Sequence, residues 1–448
     1  MFRKNSHWSR VASIALAVAL AAFLASPVPA KAAWTNGQAA TRVLGQTDFT
    51  SGTSGVSQSK MHSPSGICVD KSTGKVFVMD SNNHRILRFS STNAAINGSN
   101  AEGVLGQPDF TSYFSGISEI KLNSPESCAM TDSGDLWVAD TFNNRVLLFR
   151  SAASKADGAA ADLVLGQADF TSNETITNQS TFSYTVFGIA VTPDGSTLFA
   201  SCTTDNRVLR WDNPASKSNG ALADGVLGQS SYTSHGSGTS ATTMSGPRNL
   251  TLDGSGNLYV CDATNNRVLR FNNAKNKSNG AAADGVLGAP HFDPVLSLPA
   301  IEAYPATTFD RPRGLVIGSD GRLYLVAYGE NRVLIYNDPA TKANGAAADY
   351  VLGQTSFASG DSTPTSLSPV SAPLISADTL IGPLGVGYDE RNGYLYVADG
   401  ENNRVLGFYN EELILRPVPA LTPGQLAGFA GLLLALGAGF ALRLRNKA

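Results

Sequence analysis

Side chains able to hold a metal, activate a nucleophile or shuttle a proton are few and dispersed in these 448 residues. Histidine appears only at His7, His62, His84, His235 and His291. No HExxH, no GxSxG elbow, no paired CxxC and no phosphate loop ending in GK[ST] is present. A histidine-based metal site or a Ser–His site therefore has little to build on. What recurs is arginine with an acid. Arg85, Arg145, Arg267 and Arg404 each stand five residues after an aspartate: Asp80, Asp140, Asp262 and Asp399. Where Cys202 and Ala327 replace that aspartate, an acid stands two residues before the arginine instead, as Asp205 before Arg207 and Glu330 before Arg332. A guanidinium facing a shielded carboxylate makes strong charge-assisted hydrogen bonds. Six copies read as the turn chemistry of a repeated unit, with a ring of ligand-binding arginines as the alternative. On this reading Asp140→Ala lowers the melting temperature and Asn143→Ala scarcely does.

The repeat that positions these pairs is visible in a second string. VLG recurs from Val43, Val104, Val164, Val226, Val286 and Val351, alternating strictly with the arginines. Between them lie short runs of β-branched, aromatic and aliphatic residues bounded by Asn, Asp, Ser and Gly, as in Leu136-Trp137-Val138-Ala139 and Arg145-Val146-Leu147-Leu148-Phe149. Four short antiparallel strands in about 60 residues make a propeller blade, and six blades close a ring. The fold class is all-β, a six-bladed β-propeller over residues 33–410. The first VLG copy precedes the first complete unit and the sixth arginine has none after it. Val43-Leu44-Gly45 is therefore expected to complete the last blade beside Arg404 to Tyr409, which removes two open strand edges.

The strings SPSGICVDKSTGKVFVMDSNNHRILRF, GPRNLTLDGSGNLYVCDATNNRVLRF and GPLGVGYDERNGYLYVADGENNRVLGF resemble NHL repeats. The resemblance spans about residues 43 to 409. It implies an interaction platform, since propellers of that family generally bind partners. Some similar six-bladed propellers are lyases, or metal-dependent hydrolases of lactones and esters, with carboxylates, Asn or His around an axial metal.

Specificity is expected where the copies disagree. The residues that open each innermost strand near the central funnel are Ser65, Glu126, Phe187, Arg248, Arg313 and Leu384, which share no chemistry. Arg248, Arg311 and Arg313 are candidates for an anion-binding side, with Glu126 opposite Arg313. A solvated rim or an internal ion pair is the other reading. Glu126 is the one acid among the six, so no metal cluster is expected there, and calcium has no motif. The aromatic after each VLG (Phe49, Phe110, Phe170, Tyr232, Phe292, Phe357) reads as a plug between blades, with a stacking platform for sugars or bases as the alternative. Cys68, Cys128, Cys202 and Cys261 each fall within a predicted strand and read as buried thiols. A Cys202–Cys261 bridge is the pair to test, although their offsets place them on opposite strand faces.

The ends speak to location. Residues 1–32 read as a signal peptide: a basic start (Arg3, Lys4, Arg10), the apolar run Val11 to Leu24, then Ala30-Lys31-Ala32. An uncleaved anchor is the alternative. Residues 411–425 read as a linker, 426–442 as a transmembrane helix and 443–448 as its basic cytoplasmic end. The tail VPALTPGQLAGFAGLLLALGAGFALRLRNKA resembles a bacterial sorting signal of the IPTL/PEP-CTERM type, which implies handling by a sorting enzyme. Removing the four basic leader residues takes the net charge from −3 to −7, which disfavours nucleic acid. The expectation is an exported, surface-anchored, monomeric propeller that binds a protein or glycan through its connector face without catalysis. A metal-dependent lyase or hydrolase and a purely structural envelope component are the rivals.

Overall fold

The computed structural model describes residues 34–293, 304–359 and 375–410. The expected leader, linker, transmembrane helix and basic end lie outside the described residues, as does much of the connectors over residues 289–310 and 355–381. Among the described residues no helix is long and apolar enough to cross a membrane.

The strands form six four-stranded antiparallel sheets, the blades of a propeller. Blade 1 consists of Pro64–Val69, Val76–Asp80, Arg85–Phe89 and Gly103–Leu105, and blade 2 of Pro125–Met130, Leu136–Asp140, Arg145–Phe149 and Leu163–Leu165. The first strands of blades 3 to 6 are Val186–Val191, Pro247–Leu252, Pro312–Ile317 and Pro383–Asp389. First strands of neighbouring blades lie side by side around the axis.

Alternation explains why each sheet is buried on both faces. In Arg145–Phe149, Val146 and Leu148 enter the interface with blade 3, while Leu147 and Phe149 enter the interface with blade 1. Six such apolar clusters form, each drawn from two neighbouring blades, and the sixth joins blade 6 to blade 1. The ring closes as the repeat order requires. Arg42–Leu44 is the fourth strand of blade 6, with Val43 opposite Leu406. Ala33–Asn410 is one compact unit, and every blade interface is made within it.

The two faces of the ring differ. Turns between second and third strands, and connectors leading to the next blade, make the connector face. Hairpins between first and second strands, and loops between third and fourth, make the opposite, hairpin face. Both described chain ends lie on the hairpin face, where the Gln38 side chain donates to the Tyr409 carbonyl at 2.6 Å.

Two of the four cysteines depart from the expected buried thiols. Cys68 and Cys128 form a disulfide between the first strands of blades 1 and 2, with Cα atoms 6.0 Å apart. Cys202 and Cys261 are free and buried. Cys68 stands opposite Phe77 in its sheet and Cys128 opposite Val138, one ladder place apart, because the hairpin of blade 1 is one residue longer. They therefore leave opposite strand faces, which is what two facing blades require of a bridge. Cys202 and Cys261 also leave opposite strand faces, but outward, toward blades 2 and 5, so it is pointing apart, not opposite faces as such, that excludes a bridge between them.

Candidate functional site

Two rings of side chains follow from this geometry, one at the turns and one at the axis. At each turn the residue before the arginine has a φ of 51° or 52°: His84, Asn144, Asn206, Asn266, Asn331 and Asn403. Asparagine tolerates this left-handed conformation better than most side chains. Its side-chain oxygen then accepts the N–H preceding the next blade's first strand, as Asn144 does from Thr185 at 2.7 Å and Asn403 from Ser63 at 2.9 Å. In blade 1, His84 Nδ1 takes the same role toward the Ser124 N–H at 3.0 Å. Burial, with nearby His62, holds the His84 imidazole below its ordinary value.

The arginines that follow are buried. Arg145 Nε donates to Asp140 Oδ2 at 2.7 Å, one terminal nitrogen bonds the Ser118 and Lys121 carbonyls, and the other bonds the Phe170 carbonyl. Asp80 with Arg85, Asp262 with Arg267 and Asp399 with Arg404 repeat the ion pair at 2.7, 2.7 and 2.6 Å. In blade 5 Glu330 meets Arg332 at 2.5 Å. In blade 3 Asp205 reaches a terminal nitrogen of Arg207 at 3.0 Å, which leaves the buried Arg207 Nε without a hydrogen-bond partner. The aromatics after VLG belong to this network through their carbonyls and pack their rings against the blade interfaces. Asn143 is also part of it. Its amide donates to both Asp140 Oδ2 and the Gly116 carbonyl at 2.8 Å, which argues that its loss costs stability, against the sequence expectation.

The axis is different. Its connector end is a chamber of about 20 Å³, room for about one water molecule, walled by Glu126, Phe187, Arg248, Asn249, Arg313 and Leu384. Five of the six expected openers meet here. Ser65 does not; its hydroxyl is buried against Ser81 and the Pro125 carbonyl. Arg311 is likewise no part of the wall: it is exposed and pairs with Asp310 at 3.0 Å. Arg248 stacks on Phe187 at 4.3 Å and Arg313 on Tyr328 at 3.7 Å. Part of Glu126 faces the lumen, yet surrounding protein strips most water from it. That burial raises its carboxyl above the ordinary value, opposed through space by Arg313 and Arg248 and by the Ser65 hydroxyl. Burial and the neighbouring Arg313 bring Arg248 down to about 10, still cationic at neutral pH. Two guanidiniums and one carboxyl give this chamber a positive balance, in a space that admits no more than about one water molecule.

One layer deeper the first strands come so close that glycine fills the position in four blades. A Cβ on Gly188 would lie 2.4 Å from the Arg248 carbonyl oxygen. The other two blades carry Ser127 and Asn249, whose side chains meet across the axis at 3.3 Å. Below this crossbar the axis widens into a cup of about 670 Å³ that opens on the hairpin face. Sequence reasoning examined only the connector end and missed the cup. Its signal was an apolar residue near the end of every first strand: Val69, Met130, Val191, Leu252, Ile317 and Tyr388. Among the described residues no three His, Cys, Asp or Glu side chains gather as metal ligands would.

The family model of the NHL repeat matches residues 61–89. No curated protein matches the chain. Among solved structures, streptogramin B lyase is 12% identical, with 80% of this chain and 95% of that one covered at a TM-score of 0.42. Hydrazine synthase of Kuenenia stuttgartiensis is 15% identical, covering 79% and 97% at 0.45. An auxiliary nutrient binding protein from Bacteroides thetaiotaomicron VPI-5482 is 12% identical, covering 78% and 70% at 0.48. Likeness this distant says nothing about the site.

Proposed function

We propose that this chain is an exported, non-catalytic binding propeller, anchored at a bacterial envelope by its C-terminal apolar segment, that engages a protein or glycan through its connector face. The observation that carries this reading is the distribution of exposed apolar side chains. Among the described residues, Tyr113, Phe114, Ile120, Phe142, Ile176 and Tyr184 all lie on connectors or turns of blades 2 and 3, against only Ile96 and Leu222 on the hairpin face. Tyr113 and Phe114 stack at 4.7 Å, and Phe114 is 71% exposed. Exposed aromatics gathered in one sector are the usual mark of an interaction surface.

Binding of the soluble body to envelope fractions and purified surface glycans tests the reading. Phe114→Ser with Phe142→Ser is expected to weaken binding about tenfold or more, since such aromatics dominate interface energies. Unchanged binding would remove the connector face from consideration. A second reading, an axial lyase or hydrolase, draws on Glu126 alone, a carboxyl that burial keeps protonated to higher pH beside two guanidiniums. It requires turnover that Glu126→Gln abolishes.

A further inference from the structure

The cup on the hairpin face is a second and separate site. Its wall carries an aliphatic stripe, from Val69, Met130, Leu252 and Ile317 to Ile67 and Leu250 deeper in, under a polar rim that includes Lys71, Asp253, Asp338 and Glu390. Its volume of about 670 Å³ falls within the roughly 300–1,000 Å³ of small-molecule pockets. The floor is polar. The Asn249 side-chain oxygen accepts from the Leu250 N–H at 2.8 Å and from the Ser127 hydroxyl, while its amide nitrogen donates to no atom among the described residues. Asn249 also walls the chamber beyond, where Arg248 and Arg313 outnumber Glu126. An acceptor group reaching the floor would meet a free donor and, just past it, net positive charge. An aliphatic tail behind that group would leave water for the wall.

We propose that this cup binds a medium-chain fatty carboxylate, its head at Asn249 and its chain along the aliphatic wall. The aliphatic stripe alone would take any greasy molecule; the Asn249 amide at the floor, with the charge of Arg248 and Arg313 in the chamber beyond it, favours one with an anionic acceptor at its leading end. The Cys68–Cys128 disulfide lies in the same wall, so an occupant shields it from water-borne reagents. The site lies on the face opposite Phe114 and does not depend on the connector-face reading.

Titration calorimetry of the Ala33–Asn410 unit with decanoate tests the proposal. Saturable binding of one molecule per chain is expected. Decanol should bind about tenfold more weakly, as should decanoate to Asn249→Ala, because a hydrogen bond to a charged group is lost. Leu252→Trp narrows the mouth of the cup and should weaken binding, whereas Phe114→Ser should leave it unchanged. Bound decanoate should also slow reduction of the wild-type disulfide by a soluble phosphine, a readout that needs no variant. Absence of saturable binding, equal affinity for decanol, or an unaltered reduction rate would each overturn the proposal. Release of the cup by deletion of residues 411–448, with no binding to the full chain, would instead identify the chain's own apolar segment as occupant and overturn it too.

Discussion

The turn arginines and the axial openers occupy equivalent places in equivalent blades, yet one set is nearly uniform and the other is not. Six arginines are retained, and where an aspartate is replaced the countercharge returns from a neighbouring position, as Asp205 and Glu330 do. At the axis, Glu126, Phe187, Arg248, Arg313 and Leu384 share one small chamber with no common chemistry. A ring can close only if each blade solves the same packing problem, so uniformity belongs to the scaffold. Variety at a place the scaffold leaves free is where binding chemistry can reside.

Removing a buried charge from each ring is the strongest way to break this contrast. Arg145→Met leaves Asp140 buried and unpaired, and is expected to lower unfolding free energy by about 3–5 kcal/mol. Arg248→Met, at the partly open axis, should change stability by no more than about 1 kcal/mol in chemical denaturation. Comparable losses would erase the distinction between the rings. A smaller effect sharpens it: Asn143→Ala should remove about 1–3 kcal/mol, because the Gly116 carbonyl and the Asp140 carboxylate both lose a donor. A loss near zero would restore the simpler picture in which only Asp and Arg matter.

The smallest predicted effect depends on pH. His84 accepts a hydrogen bond from Ser124 where five blades use asparagine, and its imidazole is held below its unfolded value. A depressed group of this kind contributes stability above about pH 6.5 and loses it as pH falls through the folded value. His84→Asn should therefore match the wild type at pH 8 and exceed it at pH 5 in thermal melts. A variant no better at pH 5 would mean that the histidine bond carries no linkage.

Much of the scaffold was legible because repetition does the work of an alignment. The strict alternation of VLG with arginine fixed blade number and the pairing of Val43 with Leu406. The disulfide was not legible. Cys68 and Cys128 lie equally far before their arginines, and only the extra residue in the hairpin of blade 1 turns them toward each other. Arg311 was placed in the funnel by closeness in sequence to Arg313, but the chain turns there with φ at +46° and carries it to the surface. The cup was missed for a third reason. Its wall is made of residues any inner strand would carry, and only their convergence on one axis turns them into a container.

The pairing that closes the ring also sets an order of events during synthesis. Arg404 donates to the Phe49 carbonyl across 355 residues, so the segment around Phe49 is made well before its partner. At about 5–20 residues per second the interval is roughly 20–70 s. Throughout it, five blades can form while Arg42–Leu44 waits without its neighbour. Whatever carries this polypeptide must keep that early strand from pairing elsewhere until Arg404–Tyr409 has been made.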